Sequence, residues 1–154
     1  MKILFVITKS VIGCAQVFVL NLVRSLKKLG YEVEVVAGHG EFLFEELKKN
    51  KITYHFFNSL KRDVSIRNAF YFIYDFYKLL KNSKFDIIHL NSSNALLGAF
   101  VKVFFKKKPK VIFTFHGLSL LDRNYQIDKF IKSLFGVYFK FFLKFVDSFV
   151  FVSE

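Results

Sequence analysis

The sequence predicts an open α/β fold: a doubly wound, mainly parallel six-stranded sheet flanked by helices. Three observations carry that expectation. Short runs of mostly branched apolar residues recur along the chain, as in KILFVI (2–7), FDIIHL (85–90) and PKVIFTFHG (109–117). Segments with helical apolar spacing alternate with these runs. Every connection is long enough to hold a helix, which is what right-handed crossovers between parallel strands require. At 154 residues the chain forms one domain, 1–154, long enough to bury a real core.

The elements follow in order. KILFVI (2–7) has the pattern of a strand covered on both faces. After a turn at Gly13, AQVFVLNLVRSLKKLG (15–30) places Val19, Leu22, Val23 and Leu26 on one helical face, with Lys27 and Lys28 in the last turn and Gly30 at the end. YEVEVVAG (31–38) alternates and then runs apolar, a second strand. EFLFEELKKN (41–50) reads as a short helix, acidic early and basic late, and KITYHFF (51–57) as a third strand. IRNAFYFIYDFYKLLKN (66–82) is an amphipathic helix whose core face is read as Ile66, Ala69, Phe70, Ile73, Tyr77 and Leu80. FDIIHL (85–90) is the fourth strand. NALLGAFVKVFFKK (94–107) is a helix in which Gly98 marks close packing. PKVIFTFHG (109–117) is the fifth strand, with the one proline at its start, where proline is tolerated. YQIDKFIKSLFGVYFKFFLKF (125–145) is a long helix and VDSFVFVS (146–153) a sixth strand. The arrangement is Rossmann-like, without repeats, linkers or low-complexity tracts.

Composition narrows the function classes. An apolar fraction of 53% excludes a disordered chain. A net charge of +12 attracts phosphates, anionic lipid headgroups or nucleic acid. No zinc finger, RNP motif or basic-region zipper is present, so nucleic acid is not expected as a partner. One cysteine rules out an internal disulfide and a Cys-rich zinc site, and fits a reducing compartment. No stretch approaches about 18 consecutive apolar residues, so no transmembrane helix is expected. KSVIGCAQ (9–16) has the look of a lipoprotein cleavage box with Cys14 as the anchored residue. The apolar run before it is only Ile3–Ile7, short of the roughly 7 residues a leader needs, and Thr8, Lys9 and Ser10 interrupt it. An uncleaved chain is therefore expected.

In a doubly wound sheet ligands bind beyond the carboxyl ends of the strands. The residues to weigh are thus 9–14, 38–40, 58–63, 91–94 and 116–119. Gly13, Cys14 and Ala15 open the first helix, whose N–H groups and partial positive charge suit an anion; an ordinary tight turn is the alternative. Neither G-x-G-x-x-G nor a P-loop is present. Cys14 is expected to be small buried packing rather than a nucleophile. His116-Gly117 ends the fifth strand: His116 can donate to a phosphate or sugar hydroxyl or stabilise developing charge, or simply cap the sheet, and Gly117 lets backbone approach closely. His89 is expected to be a satisfied core histidine, His55 to sit in a strand and His39 in a loop. No pair of histidines has metal-ligand spacing, so no metal is expected. Asn91, Ser92, Ser93 and Asn94 precede a helix. Ser92 or Ser93 is expected to cap it, with contact to sugar hydroxyls as an added role.

Four segments in this order, 2–38, 60–98, VIFTFHG (111–117) and VDSFVFVSE (146–154), make the chain resemble the N-terminal, acceptor-side domain of family 4 glycosyltransferases of the GT-B fold. The resemblance covers essentially the whole chain. It implies that the first loop faces the diphosphate of a nucleotide-diphospho-sugar donor, with Gly13 matching the first of two glycines and Cys14 replacing the second, where its Cβ would crowd the phosphate. It places His116 beside the transferred sugar or its phosphates, as the catalytic candidate, and makes Ser92, Ser93, Asn94 and Gly117 acceptor or sugar contacts.

The same resemblance implies a second Rossmann-like domain carrying a basic pair and two glutamates at a fixed spacing that no two glutamates here reproduce. The chain is accordingly expected to be one half of an enzyme, truncated or split, that transfers no sugar efficiently alone. It would act in the cytoplasm, peripheral at the inner face of the membrane, on a glycan or lipid-linked acceptor for surface polysaccharide or glycolipid. Arg62, Arg67 and the helix 125–145 would meet an anionic membrane surface or the acceptor. Retention at the anomeric centre is implied by the resemblance alone. A non-catalytic Rossmann-like binding module, or one subunit of a split enzyme, is the alternative.

Overall fold

The computed structural model describes residues 1–61, 65–116 and 129–152. Its elements are β1 (Lys2–Ile7), α1 (Cys14–Lys28), β2 (Glu32–Ala37), α2 (Phe42–Lys49), β3 (Thr53–Phe56), α3 (Ile66–Asn82), β4 (Ile87–Leu90), a 3₁₀ turn (Asn94–Leu96) running into α4 (Leu97–Val101) and a second 3₁₀ turn (Lys102–Phe104), β5 (Lys110–Phe115), α5 (Lys129–Phe142) with a 3₁₀ end (Leu143–Phe145), and β6 (Ser148–Phe151). The strands form one sheet in the order β3-β2-β1-β4-β5-β6, and every neighbouring pair is parallel. The chain winds outward one way from β1 to β3, then returns to the other side of β1 at β4. That reversal opens a crevice between the carboxyl ends of β1 and β4.

Alternation along β1 divides the core. Ile3, Phe5 and Ile7 pack with Val19, Leu20 and Val23 of α1 and Leu43 and Leu47 of α2. Leu4 and Val6 face the opposite layer, with Phe72 and Phe76 of α3, Ala99 and Val101 of α4, and Phe139 of α5. Both faces of the central strand are covered, which is why KILFVI is apolar without a break. The same residues that mimic a leader are therefore the middle of the sheet, and cleavage before Cys14 would excise it.

The α3 face differs from its sequence reading. Phe72, Phe76 and Leu80 are buried and Ile73 and Tyr77 pack beside them, whereas Ile66 and Phe70 are 80% and 71% exposed. An aromatic helix carries two apolar stripes, and periodicity alone does not say which one meets the sheet. Gly98 is where α3 and α4 touch: a Cβ there would lie 2.9 Å from Phe76 and 3.4 Å from Leu90. The helix expected over 94–107 is shorter and 3₁₀ at both ends. The expected residues 125–128 of the long helix lie outside the described residues.

Candidate functional site

The crevice is built from the tips of β1, β2, β4 and β5. Thr8, just past β1, receives Ser92 across the switch point: the Thr8 N–H donates to Ser92 Oγ at 3.1 Å, and the two hydroxyls meet at 2.6 Å. This joins the tips of β1 and β4. It also explains why the expected helix cap is missing. The Ser92 hydroxyl is occupied by Thr8, and Ser93 is already helical (φ −57°, ψ −41°), whereas a capping residue needs extended backbone. No side chain caps the turn, and it starts as 3₁₀. The Ser93 carbonyl instead accepts a hydrogen bond from the Tyr138 hydroxyl at 2.9 Å, and burial pushes that hydroxyl's pKa upward.

The loop between β1 and α1 is held from below. Ser10 is fully buried; its N–H donates to the His39 carbonyl at 2.9 Å, its hydroxyl to the Gly38 carbonyl at 3.3 Å, and its own carbonyl accepts from Leu43. Gly38 must be glycine, because a Cβ would drive into the backbone carbonyls of Leu60 and Thr8. Gly40 has φ +129°, a region that side chains disfavour. The sequence marks 9–14 and 38–40 as strand tips, but the burial of Ser10 and the close backbone approach at Gly38 depend on contacts that no local pattern encodes.

On that base Gly13 leads into α1 with extended backbone (φ 175°, ψ 166°), and no side chain caps the helix. Gln16 folds back to donate to the Lys9 carbonyl at 3.0 Å. Cys14 is the first residue of α1 and is exposed, against the expectation of buried packing. The reason is position: the buried stripe of α1 begins at Val19, more than a turn after Cys14.

His116 closes the other side. Its ring meets Phe18 of α1 edge-on at 4.9 Å, and its Nε2 lies 3.3 Å from Asn91 Oδ1. Asn91 is buried, and its amide nitrogen donates to the His89 carbonyl at 2.9 Å. That bond turns Oδ1 toward His116, so His116 Nε2 is the donor and Nδ1 keeps a lone pair. Burial holds the His116 pKa below its ordinary range, leaving a neutral ring whose Nδ1 can accept a hydrogen bond. Behind it, His89 is buried with Nε2 2.6 Å from Thr114 Oγ1, the satisfied core histidine expected. Its pKa is pushed down to about 4 by burial first and by His116 second. His55 sits in β3 and bonds Glu34 at 2.6 Å. His39 is a loop residue, bonded to Asn58 at 2.7 Å and packed on Phe56.

A cavity of about 630 Å³ adjoins the crevice between α3, α4 and α5. Its body is apolar, with Phe72, Leu97, Phe135 and Phe142. Ser59, Lys61, Asn68 and Asn94 supply polar groups to its wall. Asn94 donates to the Lys61 carbonyl at 2.6 Å. The structure thus sets Ser92 against Thr8 at the tips of β4 and β1, His116 against Phe18 of α1, and Asn94 in the cavity wall, while Gly13 and Cys14 open α1 and Ala15 packs on the core between α1 and the sheet. Arg67 lies elsewhere, exposed on α3. Arg62 and Gly117 fall outside the described residues. Among the described residues no cluster of three or more His, Cys, Asp or Glu side chains could hold a metal, and no helix is long and apolar enough to cross a membrane.

The family model described as Glycosyltransferase Family 4 matches residues 13–154. Solved structures share the fold at low identity. A glycosyltransferase from Rickettsia africae superposes with TM-score 0.62 at 21% identity, covering 93% of this chain and 34% of its own. HepE from Anabaena in complex with UDP gives 0.64 at 14%, covering 97% and 37%. UDP-GlcNAc 2-epimerase from Neisseria meningitidis bound to UDP-GlcNAc gives 0.57 at 16%, covering 90% and 38%. The chain spans roughly a third of the length of these neighbours. No curated protein matches it in sequence.

Proposed function

Because the chain belongs to glycosyltransferase family 4, we propose that it is the acceptor-side half of an enzyme that transfers a hexose from a nucleotide-diphospho-sugar to a glycan or lipid-linked acceptor. The product would be a surface polysaccharide or glycolipid, made at the inner face of the cytoplasmic membrane. The observation that carries the reading is the packing of His116, at the tip of β5, against Phe18 in the second turn of α1, a helix whose start no side chain caps.

The roles follow from the chemistry of each group. The N–H groups of Gly13, Cys14 and Ala15 would face the donor diphosphate, where the helix dipole favours negative charge without a metal. His116, neutral and oriented by Asn91, would contact the transferred sugar by accepting a hydrogen bond from one of its hydroxyls at Nδ1. Ser93, Asn94 and Gly117 would border the acceptor, while Ser92 chiefly locks β1 to β4. The cavity, polar near Asn94 and apolar at Phe135 and Phe142, suits a sugar joined to an apolar chain. HepE holds UDP and the epimerase holds UDP-GlcNAc; by analogy the nucleotide here would be gripped mostly by a second domain, in the same chain or in a partner.

The test is transfer of labelled sugar from nucleotide-sugars to lipid extract by the complete enzyme. His116→Ala is expected to lower kcat by about ten-fold or more with the fold intact, the scale of one lost hydrogen bond to the reacting sugar. Normal turnover in that variant would remove His116 from the mechanism.

A further inference from the structure

We infer that the outer face of α3 is an interfacial anchor that seats the protein on an anionic lipid bilayer. The observation is what the core leaves outside. With Phe72, Phe76 and Leu80 turned to the sheet, the opposite stripe of the helix consists of Arg67, Phe70, Tyr71, Tyr74, Lys78 and Lys81, all exposed. Phe70, Tyr71 and Tyr74 are 71%, 57% and 63% exposed, and Ile66 at the helix start is 80% exposed. Three neighbouring aromatics on an exposed helical face are costly to leave in water. The only acid in α3, Asp75, lies on its half-buried flank.

Aromatics interleaved with cations, with no carboxylate among them, match the two layers of a membrane interface. Phe and Tyr rings settle at the headgroup boundary while Arg and Lys meet lipid phosphates. The net charge of +12 draws the whole chain to the same surface. A protein partner or second copy fits less well, because three cations on one stripe would need a matching acidic surface, and this chain has 12 acids against 24 Lys and Arg. On this placement the inner side of α3, which carries Ser65, Asn68, Ala69 and Phe72 into the cavity, lies directly beneath the lipid surface.

The inference deepens the membrane part of the functional reading and rests on it only for its purpose. It is tested by binding rather than by transfer, so it can fail while the transferase reading stands. The protein is sedimented with phosphatidylcholine vesicles with and without phosphatidylglycerol. Binding is expected only with phosphatidylglycerol. Phe70→Ser/Tyr74→Ser, which keeps every charge, is expected to weaken it at least ten-fold. Lys78→Glu is expected to weaken it by at least about five-fold, the scale of one interfacial cation. Unchanged binding in the charge-preserving variant would mean diffuse attraction by net charge and would overturn the anchor. A dimer that Phe70→Ser/Tyr74→Ser dissolves would overturn it too, by assigning the face to a second copy.

Discussion

Asn91 holds His116 by a one-sided bridge: its amide nitrogen is committed to the His89 carbonyl at 2.9 Å, so only its oxygen is left for His116 Nε2, at 3.3 Å. The bridge spans the carboxyl ends of β4 and β5, which run in register from Ile87 and Lys110 to Leu90 and Phe113. A backbone carbonyl two residues upstream thus selects the tautomer of a ring on the neighbouring strand. Phe18 fixes that ring from α1, so the histidine is positioned by three elements before any ligand arrives.

Asn91→Asp tests the bridge directly. A carboxylate facing His116 would favour the charged ring and raise its pKa, reversing the effect of burial. NMR titration of the His116 Cε1 proton is expected to move its midpoint upward relative to the native protein. The variant loses the donor to the His89 carbonyl and is expected to be less stable by about 1–3 kcal/mol. An unmoved His116 titration would show that the two side chains do not interact in solution.

Acid sensitivity should follow from His89. Its folded pKa of about 4 lies below its ordinary 6.5. Between those values the unfolded chain takes up a proton that the folded chain refuses. Stability therefore falls as pH drops through that window, by at most about 3 kcal/mol once pH is below it. His116, also held down by burial, adds in the same direction. Urea midpoints measured near neutral pH and near pH 5 are expected to differ for the native protein, and to differ less in His89→Gln.

Gly98→Val addresses the contact between α3 and α4. The added Cβ would press on Phe76, which is fully buried and stacked on Phe72 at 5.2 Å, so the ring has nowhere to go. A loss of about 1–3 kcal/mol is expected in urea denaturation, the usual cost of overpacking. A neutral result would mean that α4 slides away from α3 without penalty.

The sheet was readable because its strands are covered on both faces: continuous apolar runs with helix-length connections leave few topologies, and the switch point follows from them. The helix faces were less readable. In α3, Ile66 and Phe70 look as apolar as Phe72 and Phe76, and only contact with Leu4, Leu90 and Gly98 separates the stripes. Single polar residues divided the same way. His89 read correctly because it sits inside a strand between apolar neighbours. The cap expected at Ser92 failed because Thr8, 84 residues away, takes the hydroxyl. Asn91 was visible only as one of four polar tip residues; its grip on His116 depends on the β4–β5 register, which no local pattern encodes.

Cys14 reports on where the donor diphosphate would lie. The residue is exposed at the head of α1, and the backbone before it is extended, so Cys14→Gly should leave the fold intact. If the thiol overhangs the donor diphosphate, two results follow in the complete enzyme. Cys14→Gly should bind the nucleotide-sugar more tightly, and maleimide labelling of Cys14 should block binding and be slowed by prior addition of the nucleotide-sugar. Labelling that proceeds at the same rate with and without nucleotide would place the diphosphate away from α1. The Cys14 side chain would then be an exposed thiol with no part in donor recognition.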